Sequence, residues 1–213
     1  MAELYTLALL VFTSFFTLIN PLGTMPIFMS MTASLSKKRR KQTAKKATLV
    51  AFLTILAFAF SGQILFDFFG ISVNSFRIVG GVIFFSMGWD MLQARLGSIK
   101  HTDDEDKIDA YVEDISITPL AIPMICGPGA ITNAIILMED AVELPQKVVL
   151  VAVIAFVLLL TYLILMGASK ITDTLGETGN KVMMRLMGLI VMVIAVEFFF
   201  SGLKPIVIDI INS

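Results

Sequence analysis

A single cysteine, Cys126, and a single histidine, His101, are all that 213 residues offer to thiol or imidazole chemistry. One cysteine excludes an internal disulfide and any cysteine-cluster metal site. Its simplest role is that of a small buried apolar residue. His101 stands in a polar stretch without a ligating partner, so neither a metal nor a cofactor is expected. Charge is scarce too: Asp, Glu, Lys and Arg make up 15% of the chain, against roughly 25% in soluble domains. The net charge of -1 says nothing about nucleic acid, because the charges are confined to loops, and no nucleic-acid partner is expected. Met1-Ala2-Glu3 carries no basic residue ahead of the first apolar run. A cleaved signal peptide would carry one, so that run reads as a retained span. Zinc-protease, phosphate-loop and nucleophile-elbow patterns are all missing, and no enzyme activity is expected.

What is present is apolar sequence, 57% of the chain, and it predicts an all-α polytopic membrane protein. A spanning helix needs about 20 mostly apolar residues. Six stretches qualify, near 4–33, 47–69, 75–94, 117–138, 148–169 and 182–203. The basic residues set the orientation. Lys37, Lys38, Arg39, Arg40, Lys41, Lys45 and Lys46 fall in the expected loop after the first span. Arg95, Lys100 and Lys107 follow the third, and Lys170, Lys181 and Arg185 lie around the fifth connection. Thirteen of the 16 lysines and arginines thus fall on one side. That side is cytoplasmic, both termini face outside, and anionic lipid contact follows as a by-product. The acidic run Asp103, Asp104, Glu105, Asp106, Asp109, Glu113 and Asp114 lacks calcium-loop spacing and reads as a solvated linker. Gly80, Gly81 and Gly88, and the Gly167-Ala168-Ser169 run, read as close-packing surfaces between helices.

Two of the spans are interrupted at matching places. The first carries Asn20-Pro21-Leu22-Gly23-Thr24-Met25-Pro26. The fourth carries Pro119-Leu120-Ala121-Ile122-Pro123 and then Gly127-Pro128-Gly129-Ala130. Pro21 and Pro128 are 107 positions apart, about half of the chain. Arg77-Ile78-Val79-Gly80 matches Arg185-Leu186-Met187-Gly188 at a spacing of 108, and Asp90 precedes Glu197 by 107. The halves therefore read as repeats: repeat 1 at about 4–94, a cytoplasmic linker at about 95–116, and repeat 2 at about 117–204. Three spans is an odd number, so the second repeat enters the membrane from the opposite side. The expected fold is six transmembrane helices in two inverted-topology three-helix repeats, with helices one and four broken. Paired interruptions of this kind mark the binding site of many transporters.

A broken helix frees backbone groups that lipid cannot satisfy, so the breaks must be buried in protein or line a cavity. Carbonyls end one half-helix and N–H groups begin the next, offering negative and positive partial charge. A small zwitterion fits both. Gly23, Gly127 and Gly129 let a ligand approach the backbone. Asn20 can donate and accept, Pro21 and Pro128 make the breaks, and Thr24, Thr132 and Asn133 can cap the restarted helices or reach the ligand. Glu197 lies inside the sixth span, where a carboxylate is functional by default, and burial there would suit it to carry a coupling proton. Asp90 sits near the cytoplasmic end of its span, within reach of Arg95.

At these residues the chain resembles the MarC family of integral membrane proteins, which includes SnatA-type small neutral amino acid transporters. The resemblance is carried by Asn20-Pro21-Leu22-Gly23 with Pro26 and Phe28, by Pro119 to Pro123 with Gly127-Pro128-Gly129-Ala130-Ile131, and by Arg185-Leu186-Met187-Gly188. It covers nearly the whole chain. It implies a plasma-membrane transporter (the inner membrane in a Gram-negative host) for glycine, alanine or similar amino acids, driven by a proton or sodium gradient. It implies no role for Glu197 or Asp90. Export of other small metabolites or drugs, and an accessory subunit that transports nothing, are the competing functions.

Overall fold

The computed structural model describes residues 2–93 and 105–212, with the side chains of 2, 169–177 and 180 left aside. All its regular elements are helical. They are α1 (Ala2–Ile19), α2 (Pro21–Met31), α3 (Lys37–Phe69), α4 (Val73–Leu92), α5 (Glu105–Ile115), an irregular coiled stretch Ser116–Ile125, α6 (Pro128–Asp140) and α7 (Leu144–Asn212). Five helices are long and apolar enough to cross a membrane, six if the bent pair around α6 counts as one span. This is a multi-pass integral membrane protein. Both expected interruptions are present, but they differ in kind. Glu3–Met31 counts as one continuous crossing despite the break at Asn20, whereas Glu105–Ile125 and Pro128–Asp140 meet at 60°.

The basic run is not a loop. Ser36 caps α3 by accepting from Arg39 N at 3.4 Å, so Lys37–Lys46 forms the first turns of that helix. Arg40 is buried because its guanidinium closes the end of α2: Nε donates to the Thr32 carbonyl at 2.9 Å and Nη2 to that of Ala33 at 2.8 Å. The acidic linker is only in part a linker. From Glu105 it forms α5, whose Val112 and Ile115 are buried. Arg39 pairs with Asp109, and Lys46 Nζ with Glu113 Oε1 at 2.5 Å, while Tyr111 Oη donates to the Met31 carbonyl at 2.9 Å. Alternation of acidic and apolar residues in this stretch makes one face that docks and one that stays wet. Arg95, Lys100, His101, Asp103 and Asp104 lie outside the described residues.

Ala44, Ala47, Ala51, Ile55 and Ala59 recur every three to four residues and form the buried stripe of α3. That stripe is narrow, which lets α6 and the irregular stretch lie close. The other main seam joins α4 to the second crossing segment of α7, Lys181–Asn212. Here a Cβ added at Gly88 would lie 2.8 Å from the Gly188 carbonyl oxygen, and one added at Gly188 would lie 2.8 Å from that of Gly88. Only glycine permits so close an approach. Gly81 meets Ala195 and Phe199, and Gly202 meets Asn74 and Arg77, so the two helices run antiparallel. The expected close packing at Gly167 is not found, since nothing lies within 4 Å of its Cβ position.

Candidate functional site

The first break is built by one residue. Asn20 takes left-handed backbone angles, φ 45° and ψ 66°, a region Asn tolerates better than most residues. Its Oδ1 accepts from Gly23 N at 3.1 Å, and its carbonyl accepts from Thr24 N at 3.0 Å and Thr24 Oγ1 at 3.2 Å. The Gly23 bond fixes the orientation of the amide and leaves Nδ2 as a donor. Gly23 is required by the same fold-over, because a Cβ there would sit 2.5 Å from Asn20 Nδ2. Pro21 is the first residue of α2 and has no N–H. The Thr17 carbonyl therefore cannot receive the helical bond from four residues on.

The second break is longer. Thr118 and Ile122 have extended angles within Ser116–Ile125, and the peptides before Pro119 and Pro123 are cis. Gly127 precedes α6 with no side-chain cap, and Pro128 opens the helix. The same proline rule leaves the Met124 carbonyl without its helical donor.

A cavity of about 480 Å³ lies at the first break, within the usual size of a small-molecule site. Its wall comprises Phe16, Thr17, Leu18, Ile19, Asn20, Gly23 and Thr24 from α1 and α2, Phe84 and Met87 from α4, Met124, and Val191, Ile194 and Phe198 from α7. Both carbonyls deprived by proline, those of Thr17 and Met124, belong to wall residues. The polar side chains on the wall are those of Thr17, Asn20 and Thr24.

The structure therefore brings Asn20, Gly23 and Thr24 together on one cavity, with Pro21 buried beside them. It does not put the second motif on that wall. Gly127 lies behind Phe84, whose Cζ would be 2.7 Å from an added Cβ, and Gly129 lies between Phe198 and Leu18. Phe84 and Phe198 stack at 5.8 Å and screen these glycines from the cavity. Pro128 packs on Gly80, 1.9 Å from its Cβ position. Asn133 Nδ2 donates to Ser14 Oγ at 3.1 Å, tying α6 to α1. Thr132 Oγ1 is buried with no hydrogen-bond partner among the described residues. Sequence reasoning missed the apolar wall. One signal was available: Thr17 and Met124, Phe84 and Val191, and Met87 and Ile194 are each 107 positions apart.

The family model for MarC family integral membrane proteins matches residues 5–207. The chain belongs to the MarC family. A UPF0056 membrane protein of Pyrococcus horikoshii is 39% identical over 204 residues, covering 96% of this chain and 98% of that one. YvbG of Bacillus subtilis is 36% identical, covering 91% and 92%, and YhcE of Escherichia coli is 32% identical, covering 94% of each. Both are also named UPF0056 membrane proteins, a name that states no activity. No solved structure matches the chain.

Two MarC-chain carboxylates remain to be placed. Glu197 lies in the crossing segment Lys181–Asn212 with its side chain turned away from the helix core, and it is not on the cavity wall. Asp90 is half-buried near the end of α4 and is likewise off the wall, and Arg95 lies beyond the described residues.

Proposed function

We propose that this MarC-family protein is a secondary transporter of small neutral amino acids, of the glycine and alanine class, working by alternating access across the plasma membrane. One observation carries the reading. Thr17 and Met124, whose carbonyls proline leaves without a helical donor, line one cavity together with Asn20, whose Nδ2 has no hydrogen-bond partner among the described residues. The carbonyls suit an ammonium and Asn20 Nδ2 suits a carboxylate, so a zwitterion is held without a formal ion pair. The remaining wall is apolar and leaves room for a small side chain.

Inverted repeats are part of the proposal. The antiparallel seam of α4 and α7, and the wall pairs spaced by 107 residues, are what an axis lying in the membrane plane would produce. With basic loops cytoplasmic, both termini would face outside. Coupling to a proton or sodium is also proposed, with Glu197 as the carboxylate that would take a proton from outside the cavity wall. The machinery is one of binding and release, with no covalent step.

Purified protein in liposomes should accumulate or exchange labelled glycine or alanine under an imposed pH or sodium gradient. Flux no greater than in empty liposomes under either gradient overturns the reading. A second reading, export of less polar metabolites or drugs, is favoured by the apolar share of the wall. A competition panel separates the two: displacement of bound apolar cations with no effect of glycine or alanine would select it.

A further inference from the structure

A second hollow of about 430 Å³ lies between α3 and the first crossing segment of α7, Leu144–Ala168, well separated in sequence from the cavity wall. Lys41 and Lys45 stand on it, with Leu49, Phe52, Leu159 and Tyr162 along its length. From Lys41 to Phe52 the groove follows α3 for roughly 16 Å, starting at the basic end of the helix.

The seven basic residues at the start of α3 divide by task. Arg39 and Lys46 pair with α5, and Arg40 closes α2. Lys41 and Lys45 are exposed and make no ion pair among the described residues. They are four positions apart, so their ammonium groups share a face and repel. An anion between them turns that repulsion into attraction. Tyr162, an amphipathic side chain of the kind found at the headgroup level, lines the same groove. Below these groups the walls are apolar. A soluble phosphate would have no use for those walls, and an uncharged lipid no use for the lysines.

We propose that this groove is a specific site for an anionic phospholipid. The phosphate lies between Lys41 and Lys45, and one acyl chain lies along Leu49, Phe52 and Leu159.

The test is native mass spectrometry of the full chain, released from detergent with phosphatidylglycerol or phosphatidylcholine of identical acyl chains. Phosphatidylglycerol should be retained preferentially. The double variant Lys41→Gln/Lys45→Gln should lose that preference by about fivefold for each lysine, the equivalent of about 1 kcal/mol each. The double variant Lys37→Gln/Lys38→Gln makes the same charge change outside the groove and should leave the preference as it was. Glycerol 3-phosphate, which has the headgroup anion without chains, should not displace the lipid. Equal retention of the two lipids, equal losses in the two double variants, or displacement by glycerol 3-phosphate would each overturn the proposal. Lipid retention is read without reference to transport, so the result is independent of the proposed function.

Discussion

Asn20 combines a left-handed backbone, a cap on α2, and an amide donor left over on a residue of the cavity wall. Substitutions can separate them. Asn20→Asp keeps an oxygen for Gly23 N and a residue type that tolerates φ 45°, but replaces the amide donor with a carboxylate. The fold should survive, while binding of glycine or alanine weakens by about 10- to 100-fold, the span expected for losing a hydrogen bond to a charged group, about 1.5–3 kcal/mol. Titration calorimetry on the purified variant reads this; unchanged affinity would remove Asn20 from the site. Asn20→Ala should instead lower stability, through a lost cap of about 1 kcal/mol and a strained left-handed alanine. The break motif made Asn20, Gly23 and Thr24 legible in the sequence. Thr17 and Met124 were legible in principle, since each precedes a proline by four positions. That both residues line one cavity is a tertiary fact, and nothing local announces it. Asn133 shows the reverse: a polar residue one turn past a break looks like a ligand, but a neighbouring helix supplied Ser14 as its partner.

Helices as units were legible from hydropathy, and their ends less so. The basic run seemed to be a loop because charge usually marks one, yet it continues α3, since Lys and Arg are good helix formers. The acidic linker hid α5 because docking on α3 depends on residues more than 60 positions away, as in the pair Lys46–Glu113. That pair makes the docking pH-dependent. The Lys46 ammonium, bonded to it, holds the Glu113 carboxyl below its ordinary 4.5. A carboxyl with a depressed pKa adds its stabilisation above the ordinary value and loses it as pH falls through the lower one. Spin labels on α3 and α5 should report α5 held from neutral pH down past 4.5, then loosening in more acid. Glu113→Gln should show weakened docking already at neutral pH, with only Arg39–Asp109 left of the two ion pairs. The effect will be modest, because exposed ion pairs are worth little. The glycine seam gives a sharper contrast. Gly188→Ala pushes a methyl against backbone atoms of Gly88 and Leu92, each 2.8 Å from its Cβ position. Backbone cannot step aside as a side chain can, so this should destabilise by about 1–3 kcal/mol. Gly167→Ala enters open space and should be neutral or stabilising by up to about 1 kcal/mol. Unfolding midpoints in one detergent decide it; equal shifts would mean that the seam is looser than described.

At the scale of the molecule, the proposed repeat would tie the cavity to a second conformation. The present wall takes Phe16 to Asn20, Gly23 and Thr24 from the broken span of the first half but only Met124 from the broken span of the second. If the halves are related by a two-fold axis, exchanging their conformations gives a state whose wall takes the positions 107 residues later. Ile19 then hands its place to Cys126 and Asn20 hands its place to Gly127. The wall pairs Phe84 and Val191, and Met87 and Ile194, would then trade places and remain on the wall in both states. Cys126 is now buried at 1% exposure, behind the region screened by Phe84 and Phe198. It is also the only thiol in the chain, so its labelling needs no background correction. In liposomes without substrate, a small methanethiosulfonate reagent should modify Cys126 slowly. An alternate state populated to about 0.1–10% would slow the reaction about 10- to 1,000-fold relative to an open wall position. Leu18→Cys in a Cys126→Ala background supplies that open position in the present state. Glycine or alanine with the coupling gradient should move the two rates in opposite directions, because one state hides what the other exposes. Rates that rise and fall together, or a Cys126 that stays unmodified while transport proceeds, would show that the halves do not exchange conformations and that the two-fold axis governs packing only.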